Sequence, residues 1–204
     1  MGYYIRVLGR NDVPIAVARL RACLPLDPKV EIHEENSNQE GWSQLILRHI
    51  GGPDIALVER NPVIPGELGA DEIGEFVDEV QDALPGSAAK WLTRYFPSVT
   101  VIYAFQLLSG TDVNNGWSAV HVLKSYIWKQ VGGILQADME GFSNEQGHHI
   151  LWQFSEGVEG EWSVAVLDPD EKWVAFTMDL GDLDHRRAFL DGTVPPGVTG
   201  TAKN

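Results

Sequence analysis

The chain has 204 residues, enough for one large domain or two small ones with a real hydrophobic core. Hydrophobic residues make up 44% and charged residues 22%, ordinary globular usage that argues against disorder. With 29 acidic against 15 basic residues the formal net charge is −14, which disfavours nucleic acid as a partner and favours solubility or a basic protein surface. Cys23 is the single cysteine, so no intramolecular disulfide or thiolate metal cluster can form, and a buried structural thiol is its expected role. No apolar run approaches the ~18 residues of a membrane span. The opening MGYYIRVLGR has neither the apolar core nor the cleavage site of a secretory signal. A soluble, cytoplasmic protein is expected.

Residues 3–8 read as a first strand. Asp12 is placed to cap a short helix whose stripe is Val17, Leu20 and Leu24, stopped by Pro25. Three strands follow at 29–35, 42–49 and 54–60, separated by a polar turn and by Gly51-Gly52-Pro53. From Asp71, Ile73, Phe76, Val77, Val80 and Leu84 recur at helical spacing and predict the clearest helix in the chain. Its other face carries Glu72, Glu75, Asp78, Glu79 and Asp82. Pro85-Gly86 ends it, and Ser87 is placed to cap a second helix reaching Tyr95 or Phe96.

The pattern then restarts. A buried strand is predicted at 99–108, a helix from about Trp117 to Val131 stopped by Gly132-Gly133, and strands at 134–142, 148–154, 161–167 and 172–180. DPDEK has the composition of a hairpin turn, and Asp182 opens a last short helix. Clustered strands between helices predict an α+β fold, antiparallel sheets with helices packed on one side. The order suggests two similar halves, 1–97 and 98–192, from a duplication, with 193–204 as a flexible tail; the halves can equally share one domain.

The sequence contains no Gly-rich phosphate loop, GxGxxG, GxSxG, HExxH or EF-hand spacing. The densest set of reactive groups is Asp138, Glu140, Glu145, His148 and His149. On a strand, Gln136, Asp138 and Glu140 share one face. With Phe142 opposite His149 they form a polar patch with that histidine; a slip of one places them instead beside His148, Ile150 and Trp152, where burial would raise the carboxyl pKa values. Asp138, Glu140 and His149 are therefore the candidates for acid/base work or for holding a divalent metal. An exposed, wet strand face is the simpler reading.

Five of the seven tryptophans lie in the second half, and Trp173 is the one whose phase leaves a contact surface open. Arg186 and Arg187 can clamp an anion, or more simply complete surface pairs beside an Asp182 cap. No cofactor is expected. The leading expectation is an acidic protein-binding module without catalysis, of the kind that masks a basic toxin or enzyme, bound through the acids from Glu72 to Asp82 and through Trp173. A hydrolytic or metal-assisted enzyme using Asp138, Glu140 and His149 is the alternative, and a homotypic contact through Trp173 a third.

Overall fold

The computed structural model describes residues 2–26, 29–38 and 41–202. In chain order the elements are β1 (Tyr4–Gly9), α1 (Val17–Cys23), β2 (Val30–Asn38), β3 (Gly41–His49), β4 (Asp54–Pro62), α2 (Leu68–Val80), α3 (Gly86–Tyr95) and, after a 3-10 turn at Phe96–Ser98, β5 (Val101–Leu107). There follow α4 (Gly116–Val131), β6 (Ile134–Ala137), β7 (Gly141–Ser143), β8 (His149–Trp152), β9 (Glu161–Leu167), β10 (Trp173–Asp179), α5 (Leu183–Leu190) and β11 (Thr201–Ala202). The fold is α+β with mostly antiparallel strands, as the clustering of strands between helices predicts. None of the described helices is long and apolar enough to cross a membrane.

The chain packs as two compact units, Met1–Asp71 with Val99–Gly133 and Glu72–Ser98 with Ile134–Asn204. Each draws on both sides of residue 98, which corrects the division into 1–97 and 98–192. The cause lies in strand pairing. β5 inserts between β1 and β4, antiparallel to both, and so returns the 99–133 stretch to the first unit. No duplication is shown: β5, β4, β3 and β2 pair antiparallel in succession in the first unit, whereas the second contains a parallel pair, β8 with β9.

In the first unit β5 buries five successive residues, Val101 to Phe105, on both its faces, which is why it reads as one apolar run. α4 covers β1 through Val131 and buries Val120, Leu123 and Ile127. The expected Asp12 cap is not made. The stretch before α1 stays extended because Ile15 is buried and its carbonyl accepts the Trp42 indole N–H at 2.7 Å, so the helix begins only at Val17. Asp12 instead takes two 2.7 Å bonds from Arg60 of β4. Arg60 lies opposite Tyr103 of β5, whose ring leans on Trp42, and burial pushes that phenol up to about 12. Arg60→Ala, read by urea denaturation, is expected to lose about 1–3 kcal/mol, because it strands a half-buried carboxylate and releases the segment ahead of α1. His33 and His49, without evident partners in sequence, meet Glu31 at 2.9 Å and the Gly110 carbonyl at 2.9 Å.

The second unit holds the hairpins of β6–β7, β7–β8 and β9–β10. DPDEK forms the last turn as expected, with the Asp168 carboxylate accepting from the backbone N–H groups of Asp170 and Lys172 at 2.9 Å each. β10 is covered from both faces. Trp173 meets Trp91 of α3 edge-on at 5.2 Å, while Phe176 and Met178 on the other side cluster with Phe189 of α5. Residues 193–202 are not the loose tail expected: Val194 and Val198 pack on that cluster, and Thr201–Ala202 pairs with Val174 and Ala175. The apolar flank and unpaired edge of β10 supply the reason. The last two residues of the expected tail lie outside the described residues.

Candidate functional site

The strand expected at 134–142 is two strands. β6 stops at Ala137, Asp138 to Glu140 form a tight turn with Met139 at φ 60°, and β7 begins at Gly141. The Glu140 N–H closes the turn on the Ala137 carbonyl at 3.1 Å. Strand alternation therefore does not align Asp138 with Glu140. Neither anticipated register occurs. Phe142 lies opposite Leu151 and Ser143 opposite His149, with a bulge between the two pairs.

That bulge decides where His149 points. By offsetting the alternation of β8 it places His149 and Trp152 in one aromatic group, each about 6.2 Å from Phe189. His149 also contacts Phe154 at 4.8 Å and Trp162 at 5.8 Å. The ring is 2% exposed and its Nε2 has no hydrogen-bond partner. Burial among these rings lowers its pKa from 6.5 to about 3, opposed by a backbone hydrogen bond at Leu151. His149 is thus a neutral core side chain at neutral pH. His148 turns the other way, its Nδ1 2.7 Å from the Ser163 hydroxyl, and Glu145 accepts from the Tyr95 hydroxyl at 3.2 Å. Among the described residues, no three of His, Cys, Asp or Glu gather where they could hold a metal ion. Asp138, Glu140 and His149 do not converge on a shared strand face, and the enzyme alternative loses the geometry that motivated it.

The acidic helix is exposed where the sequence places it. α2 buries Phe76 and Val80 and half-buries Ile73 and Val77, leaving Glu75, Asp78 and Glu79 open on the other face. Asp82, in the turn that follows, is also exposed. Glu72 departs from this set: it is half-buried and engaged. The helix ends at Val80, four residues before Leu84, so Leu84 falls off the core stripe and is 50% exposed.

A chain of hydrogen bonds brings the 138–140 turn to this helix. Glu79 Oε1 accepts from Gln153 Nε2 at 2.9 Å, and the Gln153 N–H donates to the Glu140 carbonyl at 2.9 Å. The Trp152 N–H donates to the Leu84 carbonyl, also at 2.9 Å. Met139, 70% exposed, lies in that turn next to Glu140, and exposed Leu84 lies two residues past Asp82. Neither is readable as a surface residue from sequence: Met139 sits inside an apparent strand and Leu84 continues an apparent stripe. An early stop at Pro85 is the one available signal for Leu84.

The remaining candidates are structural. Asp182 caps α5 as expected, accepting from the Asp184 and His185 N–H groups at 2.9 and 3.1 Å, and those bonds lower its pKa. Arg186 is no anion clamp: its guanidinium lies 4.9 Å over Trp152 and donates to the Leu180 and Val158 carbonyls. Arg187 meets Asp184 at 3.9 Å on the open surface. Trp173 is half-buried against Trp91, which is itself stacked on Tyr95 at 4.7 Å, so it holds α3 on the sheet. The exposed tryptophan is Trp117, 45% open with its indole bonded to Asp112. Cys23 is half-buried, and its thiol lies 3.1 Å from the Leu20 carbonyl. Family models, curated proteins and solved structures offer no match to this chain.

Proposed function

We propose that the protein is a non-catalytic binding module that docks a basic protein partner on the exposed acids of α2. The observation that carries this reading is that Glu75, Asp78, Glu79 and Asp82 all face solvent together. Among the described residues, no Lys or Arg pairs with Glu75, Asp78 or Asp82. These three acids, with Glu79 bonded to the neutral Gln153 amide, lie within eight positions and create a local negative field that speeds encounter with a basic surface. Exposed Leu84, two residues past Asp82, and exposed Met139, in the turn tied to Glu79 through Gln153, supply the apolar contact that gives a charged encounter a lifetime. A net charge of −14 acts in the same direction at longer range. Masking of a basic toxin or enzyme in the cytoplasm is the concrete form of this function.

The test presents cell extract to the immobilised protein at low and high salt, with the quadruple substitution Glu75→Gln, Asp78→Asn, Glu79→Gln, Asp82→Asn in parallel. A saturable basic partner, captured at low salt and released at high salt, is expected, with the variant weakened about tenfold or more, mainly in association rate. Capture of no basic protein, or capture indifferent to salt and to the four substitutions, overturns the proposal.

A further inference from the structure

His149 is a buried ionisable side chain packed against three apolar rings, and the α2 docking reading makes no use of it. Its Nε2 is unpartnered and its ring is enclosed by Phe154, Trp162 and Phe189. Two of the enclosing rings are half-exposed, and Phe154 leads directly into a stretch, 155–160, that forms no helix or strand. This stretch is held at its far end by few bonds: Arg186 to the Val158 carbonyl at 3.2 Å, the Gly160 N–H to Asp179 at 3.1 Å, and the Leu180 N–H to the Gly160 carbonyl at 2.8 Å.

We propose that His149 and its enclosing rings form an acid-operated latch: proton uptake expels the imidazole and frees the 153–160 loop and α5 from β8. An imidazolium here would be desolvated with no acceptor for its Nε2 proton, a costly arrangement that opening relieves by admitting water. The surrounding charges do not rescue it. From α5 the group reaching this cluster is a cation, Arg186 over Trp152; Asp182 is occupied by its cap, His185 sits 3.9 Å from it, and Arg187 and Asp184 face solvent. On β9, Glu161 lies at the exposed end and Ser163 engages His148; on β10, Asp179 binds the Gly160 and Gly181 N–H groups. In the loop Glu156 and Glu159 are exposed, β7 carries no ionisable residue, and α3 offers exposed Lys90, exposed Arg94 paired with Glu171, and buried Tyr95, whose hydroxyl engages the Glu145 carboxylate of the turn before β8.

The sign follows from linkage. The closed state holds His149 neutral down to about pH 3, whereas an opened, hydrated histidine titrates near its ordinary ~6.5, so acid favours opening throughout that window. Between pH 7 and 5 the opening equilibrium should rise roughly 25-fold, the ratio of protonated-plus-neutral to neutral histidine at the two pH values.

Amide hydrogen exchange, corrected for intrinsic rates, reads this directly. Amides of β8 and α5 in the native protein should lose protection by that factor, with Trp152 and Trp162 emission shifting to the red. His149→Phe and His149→Gln should abolish the pH dependence. Should both variants fail to fold, proton NMR of His149 in the unaltered protein still decides. A ring that stays neutral while the fold is closed and charges only with opening supports the latch. A ring titrating near 6.5 in an intact fold, equal protection at both pH values, or unchanged pH dependence in a folded variant overturns it.

Discussion

Gly141→Ala is expected to cost the second unit about 2–6 kcal/mol, seen as a large fall in melting temperature and loss of the near-ultraviolet tryptophan signal. Two costs add. Gly141 sits at φ 116°, a backbone state that an L side chain enters only with about 1–3 kcal/mol of strain. A Cβ there would also overlap the Leu151 carbonyl oxygen across the β7–β8 pair and press on the Gln153 N at 3.3 Å. These neighbours are backbone, so relief requires moving a strand, at about 1–3 kcal/mol more. Gly157→Ala separates the two terms. That residue has φ 84° with nothing within 4 Å of an added Cβ, so it should cost only about 1 kcal/mol. If both alanines cost the same, close approach at Gly141 is not what holds the hairpin.

Gly141 also marks where sequence reading of the site fails. Every residue of ILQADMEGF fits an alternating strand, and a tight turn inside it is signalled only by one glycine four positions past Ala137. Alternation breaks down where φ changes sign at Met139, so Asp138 and Glu140 lie in a turn and lack the common strand face that the pattern predicts. The bulge between Phe142 and Ser143 shifts the phase a second time, and it accompanies the long-range fit of His149 among the rings of Phe154, Trp162 and Phe189. A single chain's periodicity carries no information on such a fit.

The fold was more legible because its signals are local. The α2 stripe from Ile73 to Val80, the α4 stop at Gly132, the apolar run of β5 and the DPDEK turn are each decided within a dozen residues. The unit boundaries were not, because β5 enters the sheet between β1 and β4, a pairing that spans about half the chain. Exposure of the α2 acids was readable for the same reason as the stripe behind them: one fixes the other at 3.6 residues per turn.

Phe142→Ala should be the most damaging core substitution in the second unit, costing about 3–5 kcal/mol by thermal or urea unfolding. Phe142 is fully buried and touches Phe76 of α2 edge-on at 5.5 Å and Phe96 at 5.7 Å, while Phe76 and Phe96 stack on each other at 6.2 Å. Removing it opens a cavity at the one point where β7, α2 and the Phe96 turn meet. Stiff aromatic neighbours are poorly placed to fill the space, so little of the cost is recovered by collapse. Phe142→Leu retains most of the volume and should cost under about 1.5 kcal/mol. The pair also tests whether docking depends on how firmly α2 is seated. Phe142→Ala loosens the helix through Phe76 without changing any charge, so it should weaken partner capture at temperatures where the unit remains folded, whereas Phe142→Leu should leave capture intact. Equal capture by both folded variants would mean that the acids bind as a flexible charged segment, with Phe76 contributing only to stability.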